Sequence, residues 1–355
     1  MTFSFRLVGL LVLLVLAGCE ANGGATAPSP AVTQTASPSP DAGPSPEPVA
    51  LPTELGIDPA SPVSAPGVLR VGAGGTQLGS APGQTSAGRL RAGVVVPFSA
   101  VNNGWARITT PCELTRWMPL DAGDRLARPV VVLDPGHGGG ETGAVGPTGL
   151  QEKEVNLDVA VRAAAALNGR GIPTLLIRDS DYRATLPFRV EVASASGTEL
   201  MISIHHNADP DGPMDRPGTE TYFQYRSAAS KRLAGLVYEE VFRELSKLPV
   251  SWVGDTDAGA KWRLNDRGGD YYGILRRSGE QGVITVLAEL SFVSNPAEEE
   301  MLRREDVRQA KADAIVRAVE RYRNTNDPGG GFTTPYPRTQ PAGPGGGAQG
   351  CVDPA

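Results

Sequence analysis

The sequence predicts an α/β domain, a mostly parallel sheet with helices on both faces, preceded by a small all-β module. Three observations predict it. From residue 128 onward, unbroken apolar runs such as "RPVVVLD", "ELMISI" and "GVITVLAEL" alternate with stretches of helical spacing. That is the pattern of parallel strands covered on both faces by crossover helices. Between residues 67 and 127 the apolar runs are shorter and are broken by glycine and asparagine ("GVLRVG", "GRLRAGVVVPFSAV", "GWARITTP", "LTRWMPL"), which predicts short strands joined by tight turns. Finally, segments 19–66 and 325–355 are rich in Pro, Ala, Ser and Gly, a composition that predicts an unstructured tether and an unstructured tail.

The elements follow in order. Arg6 precedes the apolar run "LVGLLVLLVLAG", which ends at Cys19. This run is short for a membrane span and reads as a targeting segment over residues 1–18. "LAGC" resembles the lipobox of bacterial lipoproteins, in which the cysteine is acylated and becomes the mature N-terminus. That resemblance implies export and anchoring to the membrane through lipid on Cys19. Cys112 and Cys351 then remain in a disulfide-permissive compartment, where they either pair with each other or stay as two thiols. Glu20, Asp41, Glu47, Glu54 and Asp58 carry most of the formal charge of -6. No basic face is left to attract nucleic acid, and a monomer is expected.

In the domain of residues 128–324, "PVVVLD" predicts the first strand, "EVNLDVAVRAAAALNGRG" a helix closed by glycine, and "PTLLIRDSD" the next strand. A helix around "LPFRVEVASASG" follows, then strands "ELMISI" and "GTETYF", the amphipathic helix "SAASKRLAGLVYEEVFRELSK" and the strand "GVITVLAELSFVSN". A last helix begins at Asn295-Pro296, a cap followed by proline at the first helical position, with Glu298, Glu299 and Glu300 favouring its positive end.

Ligands of open α/β sheets bind beyond the carboxyl ends of the strands. The chain has three histidines. His137 lies in the glycine-rich turn after the first strand, and His205 and His206 close "ELMISI". Glu289 sits inside an apolar run near the end of "GVITVLAEL", where a buried carboxylate needs a compensating cation. The turn "DPGHGGG" lacks the spacing of either dinucleotide or P-loop glycine motifs. Two histidines and a carboxylate with an open fourth position form the ligand set of a catalytic zinc. Glu141, Glu152 and Glu154 are the candidates for the third ligand. Glu152 is mildly preferred because it opens a helix.

The motifs "VVVLDPGHGG…TGAVG…GLQEKEVNL", "SIHHNA", "GTETYF" and "LAELSFVSNP" resemble, in order and spacing, the zinc-dependent N-acetylmuramoyl-L-alanine amidases of the amidase-3 type. The likeness runs from about Val130 to Tyr322. It implies zinc held by His137, Glu152 and His205, with Glu289 as the catalytic glutamate, and peptidoglycan as substrate. It also implies that Asn207 supports the site. His206 and Ser291 stand where the family usually carries a small residue and glycine, so His206 is expected as a rim residue that binds substrate or supports the ligands. "NNGWARITTPCELTRWMPL" is similar to bacterial SH3-like modules, chiefly at Trp105 and Trp117, although each tryptophan alone reads more simply as core. Two other readings are a zinc peptidase or deacetylase cutting another wall bond, and a catalytically silent wall-binding lipoprotein. In segment 251–277 Asp255, Asp257, Asp266 and Asp270 could each reach a metal, and none is singled out.

Overall fold

In the computed structural model, residues 66–208, 218–249, 258–334 and 347–355 are described. The targeting segment 1–18, Cys19 and nearly all of the tether lie outside them. So do Asp255 and Asp257. Among the described residues no helix is long and apolar enough to cross a membrane.

The N-terminal strands are β1 (Gly67–Val71), β2 (Thr76–Gln77), β3 (Arg89–Leu90), β4 (Val95–Asn102), β5 (Trp105–Thr109), β6 (Thr115–Pro119) and β7 (Gly123–Arg125). Five of them form an antiparallel sheet in the order β6-β5-β4-β1-β7, while β2 pairs with β3. The β4–β5 hairpin turns on Asn103 and Gly104, both with positive φ. An Asn-Gly pair adopts that conformation readily. Inside the module, Leu69, Val96, Phe98, Ala106, Ile108 and Met118 share one buried cluster. Trp105 and Trp117 are only half-buried, so the simpler reading of them as core is corrected. Alternation along β5 and β6 sends Ala106, Ile108 and Met118 inward instead.

The second part comprises β8 (Val131–Pro135), α1 (Glu152–Gly169), β9 (Thr174–Leu176), α2 (Leu186–Ser196), β10 (Leu200–Asn207), β11 (Glu220–Phe223) and α3 (Ala228–Leu245). It continues with β12 (Gly259–Lys261), α4 (Gly273–Glu280), β13 (Ile284–Phe292), α5 (Pro296–Leu302) and α6 (Glu305–Asn324). Its six strands run in the order β12-β11-β13-β10-β8-β9. Strands β9, β8, β10 and β13 are mutually parallel. Strand β11 is antiparallel to β13, and β12 follows the direction of β11, so the sheet is mixed at that edge.

Period-2 alternation divides the core in two. Val131, Leu133, Ile202, Ile204, Val286 and Ala288 pack with side chains of α1, α3 and α6. Val132, Met201 and Leu287 pack with α2, α4 and three module residues, Val68, Val95 and Leu126. The module therefore shares an apolar core with the α2 face. Asn295 caps α5 by accepting the Glu298 N–H. The helix expected from that cap is two helices, α5 and α6, because the chain turns at Arg303 and Arg304.

The tail also departs from expectation. Residues 325–334 are placed, not unstructured: Ala260 N–H donates to the Gly331 carbonyl at 2.7 Å, and Thr333 N–H donates to the Ala260 carbonyl at 3.0 Å. These bonds satisfy the outer edge of β12, which would otherwise present unpaired backbone groups. Farther on, Cys351 is disulfide-bonded to Cys112 with Cα atoms 5.5 Å apart. The expectation of an unstructured tail weighed glycine content and missed the backbone bonds to β12, while the disulfide is one of the two states left open for these cysteines.

Candidate metal centre and active site

Strand β8 delivers His137 into a turn where its own φ is +59°, a conformation that non-glycine residues seldom adopt. The turn is held from below by two buried arginines. Arg178 donates to the carbonyls of Pro135 (2.9 Å) and Gly136 (2.8 Å). Arg189 donates to those of Pro135 (2.7 Å) and His137 (2.7 Å), and pairs with Asp134. Burial pulls the Arg178 guanidinium down to about 10, still charged at neutral pH. Two neighbouring glycines have a steric purpose. A Cβ at Gly136 would overlap the His205 ring, and one at Gly143 would overlap Glu152 and His137.

Glu152 opens α1 and is 4% exposed. Its Oε2 accepts from Ala144 N–H (2.9 Å) and lies 3.1 Å from His137 Nε2. Its Oε1 lies 2.8 Å from His205 Nδ1 and accepts from Asn156 Nδ2 and His206 N–H, both at 3.1 Å. Burial opposes its charge, but the two imidazoles outweigh burial and hold the carboxyl well below its usual range. His137, Glu152 and His205 each offer one ligand atom within 4.8 Å of the others, a group that can hold a metal ion. The Glu152–imidazole separations are near the roughly 3.3 Å edge of a tetrahedron whose ligands lie about 2.0–2.1 Å from zinc.

The other carboxylates fall elsewhere. Glu154 is exposed on α1. Glu141 contacts the opposite nitrogen of His137, Nδ1, at 3.0 Å. For His137 itself, burial pushes the imidazole pKa down, but Glu141 and Glu152 raise it to about 9.

Strand alternation separates the two consecutive histidines. His205 faces the cleft, whereas His206 is fully buried toward α1, with Nδ1 2.7 Å from Asn156 Oδ1. His206 is thus not a rim residue and cannot touch substrate. It holds Glu152 through its backbone N–H and through Asn156. Desolvation keeps its ring neutral, well below the usual histidine range. Asn207 donates to Glu220 Oε2 at 3.0 Å.

Glu289 pairs in register with His205 on one side and with Glu220 on the other. Immediately beyond it the β10–β13 register slips, a bulge of the kind that re-aims side chains beside active sites. Ser291, buried there, receives a bond from Lys311. The Glu289 Oε2 atom is buried and has no hydrogen-bond partner among the described residues. Burial, then the charges of Glu152 and Glu220, push its carboxyl well above the usual range. By contrast Glu220 is satisfied by Lys261, by the Tyr222 hydroxyl (2.6 Å) and by Asn207.

These groups open onto a cavity of about 300 Å³ lined by His137, His205, Glu289, Arg189, Tyr271 and Tyr272 among others. Tyr271 and Tyr272 come from the polar segment before α4, where the sequence signalled no aromatic wall. Asp270 accepts the Tyr225 N–H instead of reaching the histidines, and Asp266 is exposed. The supporting Arg178, Arg189 and Glu220 went unremarked in the sequence, although each is a charged residue at or beside a strand or helix that is otherwise largely apolar.

Residues 131–321 match the family model described as N-acetylmuramoyl-L-alanine amidase. The chain is 34% identical over 221 residues to the uncharacterized protein YqiI of Bacillus subtilis, covering 62% of this chain and 93% of that one. It is 31% identical to the N-acetylmuramoyl-L-alanine amidase AmiA of Escherichia coli, covering 54% and 75%. To AmiC of Neisseria meningitidis, which carries the same enzyme name, identity is 29% over 56% of this chain and 54% of that protein.

Proposed function

The chain belongs to the N-acetylmuramoyl-L-alanine amidase family, and from that premise we propose how it hydrolyses the amide between the lactyl group of N-acetylmuramic acid and the L-alanine of the stem peptide. Zinc is held by His137, Glu152 and His205, and Glu289 is the catalytic glutamate. The observation that carries this reading is the pairing of a satisfied carboxylate, Glu152, with an unsatisfied one, Glu289, around two imidazoles. A purely structural cluster would not leave a buried carboxylate oxygen without a partner.

The donor set fits a catalytic zinc, with two nitrogens, one carboxylate and an open side toward the cavity. Bound there, the metal supplies Lewis-acid polarisation of the scissile carbonyl and of the attacking water. Glu289 is not itself a ligand. It takes the proton of the attacking water and returns it to the leaving nitrogen, freeing the L-alanyl amine. Tyr271 and Tyr272 wall the cleft and narrow the approach to the carbonyl.

Residues 67–127 serve as an SH3-like module, and residues 19–66 tether the body to a lipid on Cys19. The enzyme works outside the cytoplasm as a monomer, on a wall polymer near its own membrane. Mass spectrometry of products from purified peptidoglycan tests the bond assignment. Intact stem peptides beginning with L-alanine, lost on chelation and restored by zinc, are the expected products. Cleavage within the peptide, or at an acetyl group, would replace the amidase reading with a peptidase or deacetylase.

A further inference from the structure

We infer that the C-terminal segment 347–355, latched to the module, positions the ligand His137 through Arg183 and Glu141. The inference rests on the reading of His137 as a metal ligand. Arg183 lies in the loop between β9 and α2, and its guanidinium makes two hydrogen bonds and one ion-pair contact. Nη1 donates to the Gln349 carbonyl at 2.7 Å and Nη2 to the Gly347 carbonyl at 2.8 Å. Nε lies 3.2 Å from Glu141 Oε2. The other oxygen of Glu141 is 3.0 Å from His137 Nδ1. A continuous path of contacts therefore joins the tail to the nitrogen of His137 that faces away from Glu152.

The tail is itself held at several points. Cys351 is bonded to Cys112. Cys112 N–H donates to Asp353 Oδ1 at 2.9 Å, and Arg91 N–H to the Pro354 carbonyl at 2.9 Å. Both anchors belong to the β-module, so the module and the metal centre are linked by a segment remote in sequence from each.

The physical consequence follows from the shape of guanidinium. Two tail carbonyls occupy both terminal nitrogens and fix the plane of the fork, which holds the guanidinium charge 3.2 Å from Glu141 Oε2 as an ion pair, without a hydrogen bond from Nε. Without them a long arginine side chain regains its rotamer freedom. Glu141 then loses the partner that orients it on Nδ1. A carboxylate on the outer nitrogen of a metal-binding histidine fixes its tautomer and ring orientation and raises its basicity. Arg183 is thus a positioning residue, acting through Glu141.

The test is zinc affinity, read by competition with a chromophoric chelator, for the full chain and its variants. Glu141→Gln is expected to weaken zinc by about 10–100-fold. Arg183→Gln is expected to weaken it by about 10-fold, and the double variant to bind no worse than Glu141→Gln alone, since both act on one path. Arg183→Lys keeps the charge without the fork and is expected to restore affinity only in part. Cys351→Ser shifts affinity in the same direction as Arg183→Gln. Thermal unfolding of the same proteins separates a folding defect from a change at the metal. Wild-type zinc affinity in Arg183→Gln and Cys351→Ser would overturn the inference, as would strictly additive losses in the double variant. A wild-type chain that takes up no zinc would instead overturn the metal reading, and this inference with it.

Discussion

Two regions of this molecule bury glutamates, and they treat them in opposite ways. Behind the sheet, Glu240 on α3 is 1% exposed and meets Arg317 Nε and Arg321 Nη1, each at 2.8 Å, as well as Arg243. Burial alone would raise its pKa, but Arg317 and Arg321 outweigh it and hold the carboxyl below its usual range. At the rim, Glu289 forms no ion pair among the described residues, its Oε2 has no hydrogen-bond partner among them, and its neighbours across the strands include a second carboxylate, Glu220. The first arrangement serves the fold, since every charge is balanced by the chain itself. The second is balanced only when something is added from outside. A buried carboxylate oxygen left without a hydrogen-bond partner beside two imidazoles points to chemistry more than to packing.

The contrast can be broken by exchanging which carboxylate is removed. The largest effect is expected for Glu152→Ala, which takes away the group that touches both imidazoles. Metal retention after dialysis, and with it turnover, should fall to background while circular dichroism reports a folded chain. Retained metal would show that the histidines hold it by another route. Next comes Glu240→Ala, expected to cost about 2 kcal/mol of stability, as for a charged hydrogen-bonding group removed from its partners, with zinc uptake unchanged. A loss of zinc in that variant would dissolve the distinction between the two regions.

A smaller effect sharpens the comparison on the approach to Glu152. Glu299 accepts the N–H groups of Thr148 (2.9 Å) and Leu150 (3.0 Å), so it pins the turn that leads into α1. Those bonds outweigh burial and hold its carboxyl below the usual carboxylate range. A depressed folded-state pKa contributes stability above the unfolded value and loses it as pH falls through the folded one. Wild type and Glu299→Gln should therefore differ by about 1 kcal/mol at pH 6, and the gap should close toward pH 3. A gap that widens in acid would reverse the assignment.

Much of the rim was legible in the sequence because its residues sit at strand ends. His137, His205 and Glu289 each follow or close an apolar run, and Glu152 opens a helix. The choice among Glu141, Glu152 and Glu154 was only mildly legible, in favour of Glu152 at the start of a helix, since the fold decides which carboxylate meets two imidazoles. His206 could have been placed: neighbours in a strand face opposite sides, so with His205 in the cleft it had to be buried. The tail was misread because glycine content speaks against a folded core but not against docking on an existing edge. The sheet's mixed edge was hidden as well. The run "GTETYF" predicts a strand without giving its direction, which depends on where the chain returns.

The most direct test of the central claim is to measure zinc stoichiometry and muramoyl-peptide turnover together in Glu289→Gln. If Glu289 moves the proton and does not hold the metal, the variant keeps one zinc per chain while turnover falls by about 10²–10⁴-fold. Turnover at the wild-type rate, or zinc lost along with activity, would contradict the account.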